Sequence, residues 1–187
     1  EVANGSRYGG AVTADGHTVI YHEIGSERAG VRRLAPSPIG TSERLLPGNF
    51  GEAVPTLSAD GHWLAYQSDE SGRTEVYVRR YPELGARTSI SLAGGSEPVW
   101  AHSGRELFYR SGDSLIAATV TTGAGFAVTG RRTLFVGSYL TDPRFREYDV
   151  MPDDQHFLML SGGRGQATLI GLQNAFAHLH DAAPPAR

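Results

Sequence analysis

Apolar and polar positions follow a pattern that is written four times along this chain. Each copy centres on a turn of the Asp-Gly type, anchored at Asp15, Asp60, Ser103 and Asp153, with spacings of 45, 43 and 50 residues. Nearly every copy is apolar or aromatic three positions before the anchor and at three consecutive positions after it. These are Val12, Leu57, Trp100 and Val150, then Val19-Ile20-Tyr21, Leu64-Ala65-Tyr66, Leu107-Phe108-Tyr109 and Phe157-Leu158-Met159. Such triplets predict strands buried on both faces, and the glycine-containing turns that follow exclude helices.

Each unit is predicted to begin with a hairpin, strand A before the anchor and strand B on the apolar triplet, joined by a tight two-residue turn. Outer strands C and D are fainter. They are predicted at 75–79 and 88–92 in the second unit, and at 114–118 and 132–136 in the third, where a loop at 121–130 joins them. Four strands in each unit of this length are typical of a β-propeller blade.

The predicted fold is therefore all-β, a β-propeller of four-stranded antiparallel blades, with about four blades in this chain. The blades fall near 8–50, 51–94, 95–140 and 145–175, within a single domain at 1–181, and 182–187 is predicted to be a disordered tail. The fourth unit departs from the pattern, because one or two helical turns are predicted at 174–179, after its strand C at 168–172. The segment 1–7 is the candidate for its missing fourth strand.

Two copies of the repeat carry a longer motif, PTLSADGHWLAY at 55–66 and PVWAHSGRELFY at 98–109. They resemble the Pro-x-Trp-Ser-x-Asp-Gly-x-x-Leu-x-Tyr blades of the TolB-like propeller family. The run 52–179 is most similar to the C-terminal propeller of bacterial serine/threonine protein kinases, which ends in an Asn-Trp-Phe-x-x-Leu-like helix. Asn174, Phe176 and Leu179 match that ending, whereas Ala175 replaces its tryptophan. The resemblance implies a sensor or scaffold in a bacterial signalling protein, and it favours an extracytoplasmic location over other compartments.

Four blades are fewer than the six that TolB-like rings usually have, so the chain is expected to be a partial ring or to complete itself by association. Open faces on the first and last blades would expose Val12, Val19, Phe157 and Leu158, which is more apolar surface than a soluble monomer normally tolerates. We expect a homo-oligomer, for example two halves of an eight-bladed ring.

Composition narrows the possible chemistry. The 187 residues are 40% hydrophobic and 20% charged with a net charge of −3, and they contain no cysteine. No apolar run reaches the roughly 18 residues of a membrane span, and no basic stripe indicates nucleic-acid binding. Disulfides and thiol catalysis are excluded. The chain contains neither kinase nor Gly-x-Ser-x-Gly hydrolase motifs, so it is predicted not to be an enzyme.

No cofactor and no metal are expected either. The histidines His17, His62, His102 and His156 lie at turns of different blades, where they are predicted to be solvated. Of the two tryptophans, Trp100 is predicted to lie in the core and Trp63 on a blade surface.

A ligand site, if one is present, is expected at the ring axis, where the starts of the A strands converge. Glu97 and Glu147 lie six positions before their anchors, and Arg144 and Arg146 lie in the loop that leads into the fourth unit. These four residues form the predicted ligand-binding cluster, and no catalytic residue is assigned.

The sequence thus favours a non-catalytic module that binds a protein, a peptide or a small ligand. One alternative is an enzyme-associated propeller, either a lyase or glycosidase working through two axial carboxylates or the gating domain of a prolyl-oligopeptidase-like peptidase. Another is a segment that only completes a ring whose function lies in absent blades.

Overall fold

The computed structural model describes residues 6–25, 29–34, 41–123, 125–163 and 166–173, and the regular secondary structure of these residues is entirely β. The strands are β1 (Ser6–Val12), β2 (Val19–Ile24), β3 (Ala29–Leu34), β4 (Ser42–Arg44), β5 (Glu52–Leu57), β6 (Trp63–Ser68), β7 (Glu75–Arg80), β8 (Thr88–Ser89), β9 (Ser96–Trp100), β10 (Glu106–Ser111), β11 (Ser114–Thr122), β12 (Phe126–Val136), β13 (Tyr148–Val150), β14 (His156–Gly163) and β15 (Gln166–Gln173). No helix among the described residues is long and apolar enough to cross a membrane.

The strands form four antiparallel sheets, each of consecutive strands: β1 to β4, β5 to β8, β9 to β12 and β13 to β15. These sheets are blades 1 to 4 of a β-propeller, so the predicted fold is confirmed. In the described residues blade 4 has three strands, and the helical turns predicted at 174–179 and the tail at 182–187 lie outside those residues. Ser6 and Arg7 pair with Ile24 and Glu23 in blade 1. The described part of the segment 1–7 therefore extends blade 1 and supplies no strand to blade 4.

The same turn joins the first two strands of every blade. In blade 1 the amide of Thr13 donates to the Thr18 carbonyl at 2.9 Å, and the amide of Gly16 donates to the Thr13 carbonyl at 2.8 Å. The connection therefore holds four residues, where two were predicted. A left-handed residue closes each turn: Gly16, Gly61, Gly104 and, in blade 4, Asp154. Glycine and aspartate tolerate this conformation, which explains the Asp-Gly type of sequence.

The predicted loop at 121–130 is largely a strand pair. β11 continues to Thr122 and β12 starts at Phe126, so a long hairpin replaces the loop. The ring of Phe126 lies 5.0 Å from that of Trp63 and 6.2 Å from that of Trp100. Trp63 is consequently only 7% exposed, and its predicted place on a blade surface was wrong, whereas Trp100 is buried as predicted.

Apolar side chains fill the spaces between neighbouring blades. Separate clusters contain Ile20 and Leu64 between blades 1 and 2, Val76 and Leu107 between blades 2 and 3, and Phe108 and Phe157 between blades 3 and 4. The buried triplets thus lie where sheets face one another, as propeller packing requires.

The outer blades differ from the expectation in part. Val12 is 60% exposed and Val19 is 38% exposed on blade 1. Phe157, which was expected on an open face, is instead buried, because its ring packs edge-to-face on Phe108 at 4.9 Å. Leu158 beside it is half-buried.

Candidate functional site

A group of buried polar side chains lies at the inner ends of the blades. Three of them, His22, Gln67 and Arg110, occupy the position seven after the anchor in the second strand of blades 1, 2 and 3, and all are buried. The fourth is Glu97, at the position six before the anchor in β9. We call His22, Gln67, Glu97 and Arg110 the axial cluster.

Bulged inner strands bring these residues together. The pairing register slips in the strands of Val54 and Glu97, and both residues have positive φ, 50° and 55°. This conformation is uncommon for residues other than glycine, and it is strained for a β-branched valine. The bulge turns the backbone amide of each residue toward the preceding blade, where a polar side chain accepts its hydrogen bond.

Two links between blades follow the same scheme. The amide of Val54 donates to Nδ1 of His22 at 3.4 Å, and the amide of Glu97 donates to Oε1 of Gln67 at 2.9 Å. In blade 3 the equivalent side chain is Arg110, which has no acceptor atom. The amide of Glu147 donates instead to Oε2 of Glu97 at 2.8 Å. The acceptor in this third link is therefore a side-chain carboxylate, whereas the other two links use the imidazole of His22 and the side-chain amide of Gln67.

Glu97 is almost fully enclosed, with 1% of its surface exposed. Burial raises the pKa of Glu97 to about 7, and the nearby charge of Glu147 adds to this rise, while the Glu147 amide, Arg110 and Arg146 oppose it. Oε1 of Glu97 has no hydrogen-bond partner among the described residues. Folding thus shifts the titration of this carboxyl group toward neutral pH, and its Oε1 is unused among the described residues.

Arg110 also has unused polar atoms. Its Nη2 donates to the Gly112 carbonyl at 3.3 Å, and its guanidinium lies 5.5 Å from the centre of the Tyr139 ring. Nε and Nη1 have no acceptor in the described part of the chain, although Arg110 is only 1% exposed. Nε2 of His22 is likewise buried without a partner there. Buried polar atoms in proteins are normally satisfied by protein, water or ligand.

The loop 141–147 contacts this cluster and joins blade 4 to blades 1 and 2. Nε2 of Gln67 donates to the Pro143 carbonyl at 3.0 Å. Phe145 packs edge-to-face on Tyr8 at 4.8 Å, and Tyr8 stacks on His22 at 5.1 Å. Burial lowers the pKa of His22, and a smaller effect of the Arg144 backbone opposes this shift, so folding favours the neutral form of the ring.

The four predicted site residues have different surroundings. Glu97 is central, and Glu147 contributes its backbone amide to Glu97. Arg144 is exposed and pairs with Asp142 at 2.6 Å; the hydrogen bonds from Arg144 lower the pKa of Asp142 to about 2. Arg146 pairs with Asp149 at 3.4 Å. Both arginine side chains are therefore already bound to carboxylates in the loop and its neighbouring strand.

Sequence reasoning missed His22, Gln67 and Arg110. A signal was present, because the position directly after the apolar triplet is polar in three of the four copies, and Leu160 occupies it in the fourth. Within the described residues, no three His, Asp or Glu side chains come together in a way that could hold a metal ion.

No protein-family model matches the chain, and no curated protein matches it. Solved structures do match. TolB from Acinetobacter baumannii is 14% identical with a TM-score of 0.65, covering 92% of this chain and 41% of its own. A putative TolB from Agrobacterium tumefaciens is 19% identical with a TM-score of 0.53, covering 70% and 49%. A putative 6-phosphogluconolactonase from Bacteroides uniformis is 15% identical with a TM-score of 0.53, covering 89% and 53%.

This chain spans only about half the length of these structures, from 41% to 53%. At such low identity the matches concern the arrangement of strands alone. They agree with the four blades described above, and the chain therefore has a TolB-like β-propeller fold.

Proposed function

We propose that this chain is a non-catalytic binding module for a protein, a peptide or a small ligand, acting as the sensor part of a bacterial signalling protein. One observation carries the proposal. Glu97 and Arg110 bring a carboxyl group and a guanidinium to the inner ends of the blades, where both are buried, yet both have polar atoms without partners in the described residues. A group that offers both donors and acceptors, such as a peptide unit, would satisfy these atoms.

The loop 141–147 connects ligand binding to a change of shape. The unpartnered atoms are enclosed, so a ligand reaches them only if part of the surrounding chain moves, and we propose that this part is the loop 141–147, which contacts Gln67 of the axial cluster. That movement replaces two contacts, the hydrogen bond from Gln67 to Pro143 and the packing of Phe145 on Tyr8. Because these contacts join blade 4 to blades 1 and 2, a bound ligand would alter how the blades are held together. This coupling supports a sensor role.

An immobilised library of random hexapeptides tests the proposal. The wild-type chain is expected to enrich a sequence class, and Arg110→Met is expected to lose that enrichment. Arg80→Gln, which removes an exposed arginine of β7 that has no contact with the axial cluster, is the matched control and should retain it. Equal enrichment by wild type and Arg110→Met, with both variants folded by circular dichroism, would contradict the proposed site.

A second candidate is an axial lyase or glycosidase, and the raised pKa of Glu97 favours it. A general acid needs such a pKa, and the charge of Glu147 is close enough to contribute to it. Release of para-nitrophenol from aryl glycosides, lost in Glu97→Gln, would support this candidate. We favour binding, because Glu97 is enclosed and its Oε2 accepts the Glu147 amide.

We also propose that the chain associates with a second copy through the faces of its first and last blades. Val12 and Val19 on blade 1 and Met151 and Leu169 on blade 4 are exposed apolar residues. A chain that spans about half of its structural matches is also suited to pairing into a fuller ring. Light scattering should give a dimer mass for wild type and for Val136→Glu, an exposed outer-strand control. Val12→Glu should give a monomer, whereas a monomeric wild type would contradict the proposal.

A further inference from the structure

The turns of blades 3 and 4 are joined by a side-chain carboxylate. Oδ1 of Asp154 accepts a hydrogen bond from the amide of His102 at 2.7 Å, and Oδ2 accepts one from the amide of Ser103 at 2.9 Å. Two consecutive backbone amides on one turn therefore bind a carboxylate that the next blade supplies. Adjacent amides at a turn commonly bind anions in this way.

The repeat places the same amides on blade 2, where they belong to Ala59 and Asp60. The residue of blade 3 that is equivalent to Asp154 is Gly104, and both residues have left-handed backbones, with φ of 69° at Gly104 and 57° at Asp154. The two turns thus share one backbone conformation, but glycine supplies no carboxylate. A Cβ at Gly104 would meet no atom within 4 Å, so the space for a side chain is open.

A cavity of about 580 Å³ fills this space between blades 2 and 3. Its walls are the turn residues Ser58, Ala59, Asp60, Ser103, Gly104 and Arg105, together with the β11 residues from Thr119 to Thr122. This volume is within the usual range of small-molecule sites. The cavity lies at the hairpin turns and shares no lining residue with the axial cluster.

The lining offers both charge and hydroxyl groups. Arg105 is exposed and brings a guanidinium to the cavity, and Thr119, Thr121 and Thr122 are exposed residues that bring hydroxyls. Burial opposes ionisation of Asp60, but hydrogen bonds from the Ser58 hydroxyl and the His62 amide lower its pKa overall. The Asp60 carboxylate also interacts with the backbone amide of the same residue, so that amide is less available to a ligand. The principal donors to an anion are therefore the backbone amide of Ala59 and the guanidinium of Arg105.

We propose that this cavity binds a small carboxylic acid that also carries hydroxyl groups. The ligand carboxylate occupies the place that the Asp154 carboxylate occupies one blade later, on the Ala59 amide and the Arg105 guanidinium, with the Asp60 amide beside them. The ligand hydroxyls meet the threonine hydroxyls and the Asp60 carboxylate, which accepts hydrogen bonds. The negative charge of Asp60 repels a ligand that carries only carboxylates. Hydroxyl groups on the ligand offset this repulsion, because they donate hydrogen bonds to the Asp60 carboxylate.

Nuclear magnetic resonance of the full, nitrogen-15-labelled chain tests the site directly. Titration with malate is expected to shift the amide signals of Ala59 and Asp60 in a saturable way. Succinate, which lacks the hydroxyl, should bind more weakly, and the neutral diamide of malate should give no shift at these residues. Absence of a saturable malate shift, or an equal shift with the diamide, would overturn the proposal.

Three variants separate the site from general charge effects. Gly104→Asp places in blade 3 the carboxylate that Asp154 supplies in blade 4, and it should abolish the malate shift. Gly16→Asp, a left-handed glycine turn on blade 1 with open space around it, is the matched control and should leave binding unchanged. Arg105→Gln keeps the turn glycine and should weaken binding about tenfold. Unchanged binding in Arg105→Gln would overturn the proposal even if Gly104→Asp failed to fold.

Discussion

The carboxylate of Glu97 accepts a hydrogen bond from the backbone amide of Glu147 at 2.8 Å. This bond joins blade 3 to blade 4, whereas His22 and Gln67 make the equivalent links between the earlier blades. One of three related links therefore depends on a carboxyl group that titrates near neutral pH. The exception arises because Arg110, which lies at the position of His22 and Gln67, cannot accept a hydrogen bond.

Stability is expected to depend on pH through Glu97. Its pKa rises from 4.5 to about 7 on folding, chiefly through burial, so the folded chain binds more protons than the unfolded chain between these values. The free energy of unfolding should therefore decrease as pH rises from about 4.5 to 7. Glu97→Gln keeps an oxygen acceptor for the Glu147 amide and carries no charge, so its urea-unfolding curve should vary less with pH.

Glu52 must be controlled in that experiment, because burial also raises its pKa to about 7 against the opposing charge of Arg44. A Glu52→Gln variant should flatten part of the same dependence. If the free energy of unfolding depends on pH equally in Glu97→Gln and in wild type, then the inferred titration of Glu97 between about pH 4.5 and 7 is wrong.

Gln67 is expected to be essential for the inner packing. Its Oε1 accepts from the Glu97 amide and its Nε2 donates to the Pro143 carbonyl. Gln67→Leu keeps the approximate size but leaves both groups without their partner, at a cost of about 2 to 4 kcal/mol. Urea unfolding measures the loss, and hydrogen exchange at the Glu97 amide should accelerate. Gln155→Leu, at an exposed turn position, should leave both measurements nearly unchanged.

Asp154→Gly should loosen the junction of blades 3 and 4. The change gives blade 4 the glycine of the other turns and removes the acceptor for the amides of His102 and Ser103. We expect a loss of about 1 to 2 kcal/mol in the free energy of unfolding, because glycine retains the left-handed backbone, and the change removes the two amide hydrogen bonds and the 3.2 Å contact of Asp154 Oδ1 with Nδ1 of the exposed His102 ring. Thermal unfolding provides the measurement. Asp113→Ala, an exposed aspartate on blade 3, is the control, and an equal loss there would refute the specific role of Asp154.

Trp63→Ala tests the contact between blades 2 and 3. The indole is buried against Phe126 at 5.0 Å, so truncation should cost about 3 to 5 kcal/mol through lost burial and a cavity. Val136→Ala, at an exposed position on β12, should change stability by less than about 0.5 kcal/mol. A small loss of stability in Trp63→Ala would contradict the buried position of Trp63 and would favour the blade-surface position that was predicted from the sequence alone.

The repeated columns of apolar residues were sufficient to predict the blades. Val12, Leu57, Trp100 and Val150 each end a first strand, and the triplets that follow the turns lie on second strands. This succeeded because strand burial and turn chemistry are local properties that appear in every copy. The length of the hairpin between β11 and β12 was not predicted, since its glycine and threonine residues are equally compatible with a loop.

The sequence by itself determined the number of units, the order of their strands and most of the buried positions in the triplets, because each depends on neighbouring residues and is repeated four times. Only the tertiary structure decided which polar residues meet. The hydrogen bond between Gln67 and Glu97 joins positions 30 residues apart, and the one between Ser103 and Asp154 joins positions 51 residues apart. The enclosure of Arg110 likewise depends on how the blades pack. No local pattern specifies such contacts, because they follow from how one blade packs on the next and from the hydrogen-bonding atoms that each side chain brings to that junction.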